Sequence, residues 1–100
     1  MLVHNVYFWL KPELTPAQRA EFRRGVETLA AIKPQVLELY VGAPAAVPDE
    51  PVIDKSFAVG LTAIFRDVAA QNAYQTHPVH LAFVAKFKSS WARVQVYDAE

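Results

Sequence analysis

Residues 2–10 read LVHNVYFWL, and this run decides the fold. It is rich in β-branched and aromatic residues and ends at Lys11-Pro12, where proline removes a backbone donor, so we predict a strand over Leu2–Leu10. Both alternating sets of side chains are largely apolar, which is typical of a strand covered on both faces. We expect the even positions to face helices and the odd positions to face a second molecule.

The segment after this strand predicts a helix. Residues 15–18, Thr-Pro-Ala-Gln, have the pattern of a capping box with proline at the first helical position. Apolar residues then recur at helical spacing from Phe22 to Ala30, and Lys33-Pro34 ends the pattern because proline cannot continue a helix. Gly25 within this helix indicates either close packing or simple tolerance.

A second helical region lies in the C-terminal half of the chain. Asp67 is predicted to cap a helix that runs through Tyr74. His77-Pro78 breaks that helix, and Pro78 can begin further turns to about Lys86. We interpret His77 as a residue at a helix start rather than a catalyst.

Three further strands are predicted, at Val36–Val41, Ser56–Phe65 and Trp91–Asp98, with a proline-containing surface loop over Ala43–Asp54. In the third strand one face would carry Phe57, Val59, Leu61, Ala63 and Phe65, and the other Ala58, Gly60, Thr62 and Ile64. The order is β-α-β-β-α-β, which predicts an α+β, ferredoxin-like fold with a four-stranded antiparallel sheet.

Such a sheet has helices on one face only, so its second face stays bare unless a partner covers it. We expect a homodimer, sheet on sheet, that closes an α/β barrel. The interface residues on this face would include Tyr7, Trp9, Ala58, Gly60, Ile64 and Tyr97.

The composition excludes several classes of function. A chain of 100 residues makes one domain, and its ten basic and ten acidic residues cancel, so nucleic acid and anionic membranes are poor candidates for partners. Without cysteine there is no disulfide, thiolate metal site or cysteine nucleophile, which fits a cytoplasmic protein. The apolar N-terminal run is short and follows no basic segment, so we expect neither a signal peptide nor a membrane span.

Two sequence segments carry a resemblance to a known family. The first strand with its following lysine, residues 2–11, and the segment Tyr74-Gln75-Thr76-His77-Pro78-Val79-His80, with Trp91 opening the last strand, resemble the stress-responsive A/B barrel family. The resemblance covers nearly the whole chain. It implies a ferredoxin-like fold and a dimeric barrel, and it implies less about chemistry.

A plant member of that family is a cofactor-free polyketide cyclase. The resemblance implies a catalytic base at His80, assisted by Tyr74, with His4 nearby. Two further polar groups of the plant pocket fall on Val26 and Val59 here, which argues against the same aldol cyclisation.

The residues themselves favour a small-molecule site between helices and sheet. His4 lies on the even face of the first strand, where an apolar chamber with few polar groups would form. In this chamber His80 would take a proton from a carbon or hydroxyl while Tyr74 or His4 donates to the developing oxyanion. The apolar wall is predicted to consist of Val6, Phe8, Phe22, Leu39, Val59, Leu61, Phe83, Trp91, Val94 and Val96.

Several alternatives stay open at this level. His4 and His80 could instead be buried and only hydrogen-bonded to the backbone or to each other. We expect no metal or other cofactor, because no Asp or Glu near His77 and His80 offers a third ligand. Three functions are therefore compatible with the sequence. The first is a cofactor-free lyase or cyclase that acts on a small hydrophobic, polyketide-like carbonyl compound. The second is a non-catalytic stress-related dimer, and the third is a cofactor-free monooxygenase on the same scaffold.

Overall fold

A computed structural model describes all 100 residues. Four strands form one antiparallel sheet in the order β2-β3-β1-β4, with the helices packed on one face. This arrangement confirms the predicted ferredoxin-like fold. The elements are β1 (Leu2–Leu10), α1 (Pro16–Glu27), β2 (Glu38–Gly42), β3 (Val59–Phe65), α2 (Val68–Gln75), α3 (Pro78–Phe87) and β4 (Trp91–Ala99).

Strand β1 occupies the centre of the sheet, between β3 and β4. Its even side chains are buried under the helices and its odd ones are half-buried on the other face, as the alternation predicts. Val6 illustrates the register, because it pairs with Leu61 on one side and Val96 on the other. Helix-facing positions of the three strands therefore form a largely apolar floor, which His4 and Asp98 interrupt near one end.

Helix α1 begins where the capping box predicts. The Gln18 amide donates to the Thr15 hydroxyl (3.1 Å), and the Thr15 amide donates to the Gln18 side chain (2.8 Å). The α-helix is shorter than the helix that the apolar pattern predicts, because the chain tightens into a 3₁₀ turn over Thr28–Ala31. Phe22 and Val26, fully buried, fix the helix on the sheet.

Strands β2 and β3 both begin later than predicted. Val36 is buried in a turn, where its amide donates to the Ile32 carbonyl (2.9 Å), so β2 begins only at Glu38. Before β3 the chain bends at Ala58, and the alternation does not extend back through this bend. The predicted faces of two residues are therefore wrong: Phe57 packs edge-on against Tyr7 on the face away from the helices, and Ala58 packs against the core.

The two C-terminal helices begin at their predicted caps. The Asp67 carboxylate accepts from the Ala70 amide (2.9 Å) at the start of α2. The His77 Nδ1 accepts from the Val79 amide (3.1 Å), and Pro78 is the first residue of α3. His77 is thus a helix cap, and Pro78 separates the two helices.

Strand β4 contains an irregularity that simple alternation did not predict. Leu10 pairs with Trp91 and Trp9 pairs with Arg93, so Ala92 is an extra residue in β4. This β-bulge turns the Trp91 ring to the helix side, where it contacts Phe8 (ring centroids 5.5 Å apart).

The other face of the sheet carries no helix. We call it the open sheet face; Arg93 lies over the Trp9 ring there (4.3 Å to the centroid), and Thr62 donates to the Asn5 side chain (2.8 Å). Tyr40 and Tyr97 on this face are about three-fifths exposed. Its main residues are Val3, Asn5, Tyr7, Trp9, Tyr40, Gly60, Thr62, Ile64, Arg93, Gln95 and Tyr97.

None of the helices has the length and apolarity needed to cross a bilayer.

Close packing explains the glycine within α1. A β-carbon at Gly25 would lie 2.7 Å from Cζ of Phe87, whose ring is buried between Phe22 and Phe83. We expect Gly25→Val to lower the free energy of unfolding by about 1–3 kcal/mol, because the Phe87 ring would have to move out of its contacts with Phe22 and Phe83. Urea denaturation measures this change.

Gly42→Ala is the matched control, since a β-carbon there meets no atom within 4 Å. Its stability should equal that of the parent within about 0.5 kcal/mol. Equal stabilities of the Gly25→Val variant and the parent would contradict the packing explanation.

Candidate functional site

A cavity of about 140 Å³ lies between the sheet and the C-terminal helices. Strands β1, β3 and β4 form its floor, and α2 and α3 form its roof. Ten of its lining residues are hydrophobic. The lining consists of His4, Val6, Phe8, Leu29, Leu61, Tyr74, Gln75, His80, Phe83, Val84, Trp91, Val94 and Val96.

His4 forms one polar end of this cavity. It is the single buried polar residue of the chain, and the sheet register places Asp98 of β4 directly beside it. Its Nδ1 lies 2.5 Å from Oδ1 of Asp98, while the amide nitrogen of Gln71 lies 3.1 Å from the same Nδ1. A histidine held by a carboxylate in this way has a fixed ring orientation.

His80 approaches the cavity from the first turn of α3. It is half-buried, and its ring centroid lies 4.7 Å from that of Tyr74. Its Nδ1 is buried without a hydrogen-bond partner of normal geometry. Burial lowers the pKa of His80 below its ordinary value of 6.5; the nearby Gln75 carbonyl opposes this shift and the His4 ring adds to it. The imidazole is therefore neutral at pH 7.

Tyr74 lies between the two histidines. Its ring is almost fully buried, packs edge-on against Phe65 (4.9 Å between centroids) and lies 6.1 Å from the His4 ring. Burial raises the pKa of the Tyr74 phenol far above its ordinary value, because the phenolate would be poorly solvated. The group is therefore a neutral hydrogen-bond donor at every physiological pH.

The structure brings the three predicted polar side chains together, along with most of the predicted apolar wall. Three of the predicted residues do not line the cavity. Phe22 is covered by Phe8 and Phe83 in the core, Val59 is buried within that core, and Leu39 packs beside it from β2. These residues lie toward α1 and β2, whereas the cavity lies toward β4.

Sequence reasoning missed several residues of the site. Leu29 and Val84 line the wall, and Gln75 lines the roof. Gln71 and Asp98 hold His4 from outside the cavity. The sequence signal for Asp98 is its even position in the predicted strand, because this position shares a face with Val94 and Val96 of the predicted wall.

Comparison with known proteins identifies one family. The model of the Stress responsive A/B Barrel Domain family matches residues 2–100. Among curated proteins, olivetolic acid cyclase of Cannabis sativa is 28% identical over 99 residues, which cover 95% of this chain and 91% of that protein.

Solved structures share the fold at lower sequence identity. Hydroxynitrile lyase from Passiflora edulis has a TM-score of 0.81 and 20% identity, and the match covers 98% of this chain and 90% of that one. A dimeric ferredoxin-like protein from Thermobifida fusca has a TM-score of 0.80 and 21% identity, and the match covers 98% and 88% of the two chains.

The lowered pKa of His80 predicts a pH dependence of stability. In the unfolded chain His80 takes up a proton near pH 6.5, whereas in the folded protein it resists protonation until lower pH. The contribution of His80 to the free energy of unfolding should therefore be at its full value above pH 6.5 and should fall as the pH drops toward the lowered pKa. Urea denaturation at about pH 7.5 and about pH 5 measures this loss.

His80→Asn should show a smaller loss of stability over the same pH interval, because it has no imidazole to protonate. NMR titration of the parent, with the His80 signal assigned by its absence in His80→Asn, measures the pKa directly. A His80 pKa at or above 6.5 would contradict the burial that the structure gives this ring.

Proposed function

The chain belongs to the stress-responsive A/B barrel domain family, and from this membership we propose that it is an acid–base enzyme acting on a small apolar carbonyl compound or its hydroxynitrile adduct. The reaction would take place in the cavity beside His4, Tyr74 and His80. The observation that carries the proposal is the convergence of a neutral imidazole and a neutral phenol in one apolar cavity.

The pKa directions assign complementary roles to the two groups. His80 is unprotonated at pH 7, so it can accept a proton. Tyr74 keeps its proton and can donate a hydrogen bond to an oxygen that gains negative charge. In a largely apolar cavity such a hydrogen bond is stronger than in water, because the effective dielectric constant is lower there.

The same pair suits two related reactions. With a carbonyl compound, His80 would take a proton from the carbon beside the carbonyl, and Tyr74 would stabilise the enolate oxygen. With a hydroxynitrile, His80 would take the hydroxyl proton as the oxygen forms the carbonyl double bond. The bond to the nitrile carbon breaks, its electron pair leaves on cyanide, and the proton passes from His80 to cyanide.

The relatives and the size of the cavity support this substrate class. One relative is a cyclase and another a hydroxynitrile lyase, and both share this fold. A cavity of about 140 Å³ is close to the size of an engineered apolar cavity, about 150 Å³, that binds benzene. A compact aromatic or branched aldehyde therefore fits better than an extended polyketide chain.

The open sheet face supports a homodimer as the working form. Trp9, Tyr7 and Phe57 border a depression of about 330 Å³ there, together with Arg93 and Asp54. Aromatic and arginine side chains of this kind are typical of protein interfaces. Solved structures with this fold are described as dimeric ferredoxin-like proteins. We propose that two copies meet through this face.

Variants of the polar residues test the enzyme proposal. We expect the parent to bind benzaldehyde, detected by thermal shift, and to cleave the hydroxynitrile of benzaldehyde, detected by cyanide release. His80→Ala should lower kcat/KM about 10²- to 10⁴-fold, because it removes the base. Tyr74→Phe should lower it about 10²- to 10³-fold, because it removes the oxyanion donor.

His77→Asn is the matched control, because asparagine also caps a helix and residue 77 does not line the cavity. Its kcat/KM should equal that of the parent. Equal activity of the parent and His80→Ala would remove His80 from the reaction. A parent that neither binds nor converts small aldehydes and their hydroxynitriles would favour the non-catalytic dimer.

The dimer proposal has its own test. Trp9→Glu places a charge within the proposed interface, so we expect monomer or aggregate by light scattering. Leu81→Glu is the matched control, because Leu81 is an exposed hydrophobic residue on the helix side. A monodisperse dimer of Trp9→Glu, or loss of the dimer in Leu81→Glu alone, would contradict the proposed interface.

A further inference from the structure

Gln71 contacts the His4–Asp98 pair from helix α2. Its amide nitrogen lies 3.2 Å from Oδ2 of Asp98 and 3.1 Å from Nδ1 of His4. Gln71 and His4 are the two side chains that hydrogen-bond the Asp98 carboxylate. Asp98 itself lies near the end of the edge strand β4, and its side chain is 40% exposed. Water therefore competes for this carboxylate on its open side.

The hydrogen-bonding capacity of each group determines where the protons lie. A neutral imidazole nitrogen either donates or accepts, so Nδ1 of His4 cannot both donate to Asp98 and accept from Gln71. The contact with Asp98 is the shorter of the two, and an ionised carboxylate can only accept, so it requires a donor on Nδ1. The Nδ1 proton therefore belongs to the bond with Asp98.

The Gln71 amide can adopt only one orientation in this arrangement. Its nitrogen donates to Oδ2 of Asp98, whereas the reversed amide would set its oxygen against the carboxylate. Each carboxylate oxygen of Asp98 then has one partner, His4 on Oδ1 and Gln71 on Oδ2. The carboxylate is held at two points, which fixes its rotation as well as its position.

We infer that Gln71 is a positioning residue that fixes the tautomer of His4 by holding Asp98 in place. In the neutral ring, a proton on Nδ1 leaves Nε2 as an acceptor on the far side. This nitrogen could accept a hydrogen bond from a substrate but could not donate to an oxyanion, so that predicted role would fall to Tyr74 alone. Without Gln71, Asp98 keeps one contact and can rotate into solvent, which releases the His4 ring to the mixture of tautomers found in water. A catalytic use of this tautomer rests on the function proposed above. The role of Gln71 in fixing the tautomer does not depend on that function.

Gln71→Met tests the inference, because methionine has similar length and helix propensity but no amide. The ¹⁵N shifts of the His4 ring report its tautomer in the resting protein. We expect the parent to hold Nδ1–H, and Gln71→Met to shift toward a mixture with Nε2–H. Asn72→Met on the exposed side of the same helix is the matched control and should keep the shifts of the parent.

Asp98→Asn provides a second, independent variant. Its amide nitrogen can donate to Nδ1 of His4, which would stabilise the opposite tautomer with the proton on Nε2. The inference is overturned if Gln71→Met keeps the parent's His4 shifts while circular dichroism confirms its fold. It is also overturned if the His4 ring of the parent already holds Nε2–H.

Turnover separates this inference from the proposed function. With the hydroxynitrile of benzaldehyde as the probe, Gln71→Met should lower kcat about tenfold and change KM less, as for residues that orient a functional group. If His80→Ala keeps full activity while the His4 shifts change as expected, the proposed reaction fails and the role of Gln71 stands. If His80→Ala is inactive and the shifts do not change, the proposed reaction stands and the role of Gln71 fails.

Discussion

The site depends on the register of strand β1 between β3 and β4. Successive side chains of a strand point to opposite faces, so a shift of one residue would exchange the two faces. His4 would then lie on the open sheet face, away from Tyr74. The pairing of His4 with Asp98, which are 94 positions apart, exists only in the observed register. Both faces of β1 are largely apolar, so alternation alone does not choose the register. The packing of Val6 and Phe8 into the core under the helices does, with Phe8 edge-on against Phe22 and Phe83.

The same burial that stabilises the fold determines the chemistry of the cavity. Aromatic rings of β1, α1, α3 and β4 pack together around Phe8 and Phe83, with Phe8 edge-on to Phe22 and Phe83 and with Phe83 tilted against Trp91. Titratable groups at the border of this core are then poorly solvated in their charged forms. Burial therefore lowers the pKa of His80 and raises that of Tyr74, in each case toward the neutral form. His4 has a carboxylate partner, and its hydrogen bond with Asp98 fixes the orientation of the ring.

Much of this arrangement could be predicted from local sequence. The capping box at Thr15, the Asp67 cap and the break at Pro78 depend on neighbours a few residues away, and the strand alternation depends on residue type alone. The start of β3 could not be predicted, because the bend at Ala58 has no glycine or proline to mark it. The contacts of Gln71 with Asp98 require the placement of α2 over the end of β4, a tertiary distance that no local pattern contains.

The bulge at Ala92 lets Trp91 and Arg93, two positions apart, point to opposite faces of the sheet. In a regular strand Trp91 would share the open face with Arg93, whereas the extra residue between them turns the indole inward to the wall of the cavity. Deletion of Ala92 would place Trp91 directly before Arg93 in a regular strand and would keep the indole on the helix side. A codon lost at this position should therefore be tolerated better than one lost elsewhere in β4, where the side chains on one side of the deletion would exchange faces.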